Sequence, residues 1–457
     1  MPFLPFALYT DVLMWLLLAA VAVYGWYCAR RPHLSAPWKR VFQSRAAVIS
    51  AVVVACYVAI GFADTLHYRP RLQPAGGADA APVYSIEALS VLDLALSHLR
   101  ERRERTYSAP LATRLYSKEQ MQVDGKTVRD FPRLRYGGAH LEDEADLAKD
   151  VLARIGMGVV LTGVLALPVG LAVRRLRRRS PSVPWHAAGA TLLAILAIAL
   201  PVAFLAQHYH VLGTDKVGQD VLYQALKSIR ISLVIGTLTT LVLLPVGIGL
   251  GIMAGYFKGW VDDAIQYLYT TLNSIPGVLL IAAAVLMMQV VIDRNADWFP
   301  TTAQRADFRL LILCAILGLT SWTGLARLLR GEALKLSQLE YIQAAHAFGV
   351  RDARVITRHI LPNVAHIVII ATVMDFSGFV LAEAVLSYVG VGVDPATTSF
   401  GTMINAARLE MGREPIVWWS LAAAFFFMFA LVLAANLFAD AVRDGFDPRV
   451  RLGFVPA

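Results

Sequence analysis

The sequence predicts an all-α integral membrane protein with about nine spans. Three observations carry this. Hydrophobic residues make up 57% of the 457 residues and charged ones only 16%, a mixture unsuited to a soluble domain of this length. Several runs approach or exceed the roughly 18 to 20 apolar residues needed to cross a bilayer. The basic residues gather in short loops beside those runs, so the net charge of +9 reads as a topology signal and not as a nucleic-acid footprint.

The candidate spans fall near residues 7–28, 46–64, 152–173, 186–207, 231–255, 266–291, 309–328, 364–389 and 416–438. The first contains Asp11 and lacks a basic segment before it, so it reads as a retained span and not a cleaved signal. Arg30, Arg31, Lys39, Arg40 and Arg45 follow it, and Arg174, Arg175, Arg177, Arg178 and Arg179 sit at 174–180. Arg351, Arg354 and Arg358, then Arg443, Arg449 and Arg451, lie on the same side. The bias places the N-terminus outside and the C-terminus in the cytoplasm.

Residues 65–151 form the one sizeable water-soluble stretch. It opens with a Pro/Gly/Ala-rich linker at 74–82. Ile86, Leu89, Leu92, Leu96 and Leu99 then recur at helical spacing, and Arg100 to Arg105 reads as the solvated end of that helix. The spans 152–173 and 186–207 form a hairpin around the arginine-rich turn.

Residues 340–363 are polar, basic and helix-forming between two apolar runs. Ala344 and Ala345 are small enough for another surface to approach closely. Gly349 should stop a first helix, and a second piece from Val350 should end at Pro362, which cannot continue a helix. The expected shape is a helix–glycine–helix elbow facing water.

The order Gln343-Ala344-Ala345, Gly349 and His359-Ile360-Leu361-Pro362 resembles the coupling loop of permease subunits in binding-protein-dependent ABC importers. Gln343 stands where that family usually has glutamate, and His359 where it has isoleucine. The run Gly213-Thr214-Asp215, Gly218 and Asp220 resembles an external signature of the dipeptide/oligopeptide/nickel branch, with Gln219 in place of arginine. Trp38 to Arg45, Arg230 to Gly236, Ala254 to Asp262, Leu381 to Gly390, Ser399 to Met403 and Asn436 to Pro448 match the same branch, C-type subunit. The resemblance covers about residues 38–64 and 208–452.

The resemblance implies a type I importer transmembrane domain. Its core would be 46–64 and 208–457, with an added N-terminal part at 1–45, an extracytoplasmic insertion at 65–151 and an inserted hairpin at 152–207. It implies a second permease subunit, one or two P-loop ATPases at the elbow, an extracytoplasmic binding protein, lipid contact and no nucleic acid. The docking surface would run from Gln343 to Gly349, with Arg351, Arg354 and Arg358 beside it and Leu361 and Pro362 at its end. ATP and Mg would be used by the partner, because this chain has no Gly-x-x-x-x-Gly-Lys-Ser/Thr loop and no catalytic or metal motif.

Other residues invite a role. Asp375 and Glu383 are ionisable residues within one span, which are expensive there and functional by default. Eight residues apart, they lie about 80° apart on the helix, so both could face a translocation path or a partner interface. For Glu383 a structural hydrogen bond is the favoured role. Pro276 should bend its span. Asp220 could cap the helix after it. His208 and His210 could pair on a metal, the blander reading being no ligand at all. The cysteines Cys28, Cys56 and Cys314 read as buried small hydrophobes. Two further classes stay open: a stand-alone secondary transporter, and a membrane-anchored enzyme using 65–151.

Overall fold

The computed structural model describes residues 3–71, 84–123 and 126–446. The linker at 74–82, Asp447, Pro448, Arg449 and Arg451 therefore lie outside the described residues. In chain order the elements are β1 (Phe3–Phe6), α1 (Tyr9–Ala29), α2 (Pro32–Val41), α3 (Arg45–Thr65), β2 (His67–Pro70), β3 (Leu89–Ser90), α4 (Val91–Ala95), α5 (Ser97–Glu101), β4 (Glu119–Val123) and β5 (Lys126–Asp130). There follow α6 (Leu147–Arg179), α7 (Trp185–Ala206), α8 (Val221–Phe257), α9 (Gly259–Ser274), α10 (Gly277–Arg294), α11 (Thr302–Ser321) and α12 (Thr323–Leu336). The chain closes with α13 (Glu340–Ala347), α14 (Asp352–Val355), α15 (Leu361–Val389), α16 (Phe400–Glu410) and α17 (Trp419–Phe446). Among the described residues, 8 helices are long and apolar enough to cross a membrane, or 9 if the pair α11–α12, bent by 40°, is one span.

The contacts divide the chain into two units. The first holds Phe42–Ser232 and Pro395–Ala434 with strand β1. Here β1, β2 and β3 form an antiparallel sheet in which Phe6 faces His67 and His67 faces Ser90, and β4 pairs with β5. Helices α6 and α7 form the expected hairpin. A Cβ on Gly158 would sit 2.5 Å from the backbone nitrogen of Pro201, so the helices meet backbone to backbone, as small residues allow in lipid. Leu152, Val160, Leu167 and Leu171 point outward and exposed, which suits an apolar solvent.

The stretch 65–151 differs from its expected shape. Ile86 is 79% exposed and outside any helix; two short helices, α4 and α5, replace one long one. Ser90 caps α4 by accepting from the Asp93 backbone N–H. The run from Arg100 is not simply solvated either. Glu104 is buried because it accepts hydrogen bonds from the backbone N–H groups of Arg135, Tyr136 and Gly137, and the Arg102 guanidinium donates to the Gln207 carbonyl. Arg174 to Arg179 belong to the end of α6 and not to a loop; cations at a helix C-terminus are stabilised by its dipole.

The second unit holds Leu8–Val41, Leu233–Asp394 and the end of α17. Helix α1 packs on α11. Asp11 accepts from the Leu8 N–H and Asp307 accepts from the Thr10 N–H at 3.0 Å. The acid that looked out of place in the first span therefore caps its N-terminus. Two breaks depart from the expected spans. The segment 266–291 does not bend at Pro276 but breaks there, with α9 ending at Ser274 and Pro276 starting α10. The span expected at 309–328 breaks at Trp322 into α11 and α12.

Candidate functional site

The elbow is built from α13, α14 and the start of α15. Helix α13 closes with the Gly349 N–H on the His346 carbonyl and the Val350 N–H on the Ala345 carbonyl. This pair of bonds is the Schellman termination, which needs a left-handed residue; Gly349 supplies it at φ +73. Ile342, Val355 and Ile360 are fully buried and pin the two arms. On the outer side Gln343, Ala344, Arg351, Arg354 and Arg358 are exposed and Ala345 is half-buried. Phe348 is 86% exposed. Nothing in the local pattern singles it out, since it is a lone aromatic within a polar, basic segment.

The second arm does not end at Pro362. Residues Asp352 to Val389 form one continuous helical path, with Pro362 in the first turn of α15 and a π-helical turn over Ile356–Ile360. Proline removes one N–H and crowds the preceding turn. The wider i→i−5 turn, seen as the Leu361 N–H on the Ile356 carbonyl, absorbs both effects without stopping the helix. The two family departures are accommodated locally. His359 packs beside the Tyr341 ring, centroids 6.0 Å apart, and the Gln343 amide donates to the Gln338 carbonyl.

Three contacts tie the helices around the elbow together, and the last of them reaches the elbow itself. Arg330 of α12 makes two hydrogen bonds to Asp262 of α9, at 2.6 and 2.7 Å; this bidentate pair is the strong form of an ion pair, and it holds the Asp262 carboxyl below its ordinary pKa. Helices α8 and α12 touch through Gly251 and Gly255, where a Cβ would lie 2.8 Å from the Ala326 carbonyl oxygen and 2.5 Å from that of Arg330. Tyr256 bonds to His346 and Asp352.

The signature at residues 213–220 lies in the first unit. Gly213 and Gly218 take positive φ. The Thr214 hydroxyl donates to the Thr106 carbonyl and accepts from the Ser108 N–H. Asp215 accepts from the Val217 and Gln219 N–H groups and from the Gln224 amide. Asp220 caps α8 through the Leu222 and Tyr223 N–H groups and binds His210 Nδ1 at 2.8 Å. Glu104 stands 3.5 Å from the other ring nitrogen. Burial alone would lower the His210 pKa, but the two carboxylates outweigh it and push it up to about 9. Burial alone would raise Glu104; its hydrogen bonds and the His210 charge bring it down to about 2. His210 is thus a buried ion-pair partner, not one half of a histidine pair on a metal, and His208 instead packs against His140.

Asp375, Glu383 and Pro276 have different settings. Glu383 is buried and accepts from the Ser387 hydroxyl at 2.7 Å. Asp375 is half-buried, and Pro276 lies in an exposed stretch, 273–279.

Comparison with known proteins gives the class. Residues 247–452 match the family described as binding-protein-dependent transport system inner membrane component. The glutathione transport system permease protein GsiD of Pectobacterium atrosepticum is 32% identical over 308 residues, covering 60% of this chain and 95% of that protein. The oligopeptide permease OppC of Mycobacterium bovis is 33% identical over 242 residues, 53% of this chain and 77% of OppC. The dipeptide permease DppC of Lactococcus lactis is 30% identical, over 52% of this chain and 64% of DppC. The chain belongs to this family: it is a multi-pass permease subunit of a bacterial ABC importer, on the branch that holds these three permeases.

Proposed function

We propose that the chain converts closure of cytoplasmic P-loop ATPase subunits into opening of a path for a peptide-like solute. The exposed elbow carries this reading: its two arms are pinned by buried aliphatic residues while Gln343, Ala344 and Phe348 face outward. Phe348 is the apolar anchor for a groove on the ATPase, and Arg351, Arg354 and Arg358 are its basic rim, each contributing little alone. The ATPase binds and hydrolyses ATP with Mg; this chain holds neither. The elbow face is cytoplasmic, with the C-terminus on the same side and the N-terminus outside. A second permease completes the path, and a binding protein delivers solute to the outer face. Asp375 and the exposed break at Pro276 are the residues we assign to the path or to the partner permease. The names of the relatives, glutathione, oligopeptide and dipeptide permeases, favour a short peptide or peptide derivative as solute. Residues 46–64 and 208–457 are the core, and 65–207 is an insertion.

Affinity purification of the tagged chain from its membrane in mild detergent, with mass spectrometry, tests the assembly. A P-loop ATPase and a second permease should co-purify; the chain alone, repeated under cross-linking, overturns the reading. Gly349→Trp should insert normally yet abolish transport, because a side chain at φ +73 is strained and the indole would stand on the docking face. Normal uptake by this variant would remove the elbow from the mechanism.

A further inference from the structure

We infer that Tyr256 is a positioning residue that fastens both arms of the elbow to the end of α8. This rests on the coupling role proposed above and adds how the movement leaves the elbow. Tyr256 lies in the last turn of α8, and its side chain is buried while its neighbour Phe257 is exposed. Its hydroxyl donates to Asp352 Oδ1 at 2.8 Å and meets His346 Nε2 at 2.8 Å. One hydroxyl proton serves the carboxylate, so His346 must carry hydrogen on Nε2 and donate to the tyrosine oxygen. The two rings also stack, 5.5 Å apart and 23° from parallel.

The placement gives these bonds their meaning. His346 is in the last turn of α13 and Asp352 opens α14, so the two partners stand on opposite sides of Gly349. Glycine there leaves the angle between the arms soft. A single hydroxyl bonded to both arms fixes that angle and ties it to α8. Gly251 and Gly255 hold α8 backbone-close to α12, which leads into α13. A push on the elbow is thereby shared between its own span, α15, and α8. Without the hydroxyl the arms keep their buried aliphatic contacts and the 3.7 Å approach of His346 Nδ1 to Asp352 Oδ1, but α13 is freer to swing about Gly349 and dissipate the push.

The test uses the complex purified with its own ATPase in nanodiscs. Spin labels go on cysteines at Met253 and Glu340, both exposed. Cys56 is replaced by alanine, and the buried Cys28 and Cys314 are kept. Electron–electron double resonance then reads the distance from α8 to α13, with and without ATP plus vanadate. The unaltered Tyr256 should give one narrow distribution that is the same in both states. Tyr256→Phe keeps the stacked ring but loses both bonds; its distribution should be roughly twofold wider already without nucleotide, in line with the loss of a bond to a charged group. Asp352→Asn, made with Tyr256 intact, keeps an acceptor and should leave the distribution narrow, whereas Asp352→Leu, which has none, should widen it as Tyr256→Phe does. A Tyr256→Phe distribution equal to the wild type overturns the inference. The coupling reading is tested separately by cross-linking a cysteine at Ala344 to the ATPase. If that cross-link is missing the coupling role falls, while the α8–α13 distances still decide the part played by Tyr256.

Discussion

Phe348 and His210 mark two ways in which single residues carry more than their sequence setting suggests. Phe348 caps α13 with nothing covering it, and a large apolar side chain in that position gains by insertion into a partner. Phe348→Ala should weaken co-purification of the ATPase by about tenfold or more, the range of an interface anchor, with membrane insertion unchanged; titrating the tagged chain with the ATPase would measure it. His210 is held between Glu104 and Asp220. Its folded pKa of about 9 lies above the unfolded value, so its contribution is full below about pH 6.5 and fades as pH rises through about 9. Glu104, depressed to about 2, contributes fully above about pH 4.5 and loses that contribution as pH falls. Hydrogen exchange at the amides of residues 135–137, corrected for intrinsic rates, should therefore lose protection near pH 9. His210→Gln should remove that step, and protection persisting unchanged to pH 10 would contradict the assignment. Neither role was open to a reading of local pattern. Glu104 sits among four arginines and looks solvated, and its partners lie 31 to 33 residues along the chain.

At the scale of elements, the helices were legible wherever one physical signal dominated. Apolar runs gave the spans, Gly349 gave the end of α13, and the arginine cluster gave the foot of the hairpin. What misled was proline. The same missing N–H starts α10 at Pro276 but is absorbed inside a helix at Pro362, and the difference is a π turn that no residue pattern announces. The small sheet was hidden for another reason: β1 finds β2 only after a whole span has intervened. The α8–α12 contact makes a test at this scale. Gly255→Leu would drive a side chain into the Arg330 carbonyl and should cost about 1–3 kcal/mol, as overpacking does, lowering the unfolding temperature in detergent. Gly324→Leu, on α12 but with open space around it, should leave that temperature nearly unchanged. Equal effects would mean that the approach of the two helices is not what matters.

For the molecule as a whole, the stretch 65–151 is not a separate body hung on a permease. It shares a unit with α3 and the start of α8, and a buried ionic cluster is one reason. Lys227 of α8 binds Asp64 at 2.7 Å and Asp93 at 3.0 Å, and Ser90 donates to Asp64. Lys227→Met should cost roughly 3–5 kcal/mol by leaving two buried carboxylates without their cation, and should open residues 84–123 to added protease. Adding Asp64→Asn and Asp93→Asn should recover part of the loss. Wild-type protease resistance in Lys227→Met would show that the cluster does not fasten this stretch.

That cluster also sets a timetable for synthesis. Asp64 leaves the ribosome 163 residues before Lys227 exists, an interval of about ten to thirty seconds at the usual pace of translation. Through that interval α3 ends in a carboxylate with no lysine to meet it, and the carboxylate is held at the water boundary, since charge is costly inside the bilayer. The C-terminal end of α3 can be drawn into its final place only when α8 arrives, so an early part of the fold waits on a much younger one to be finished.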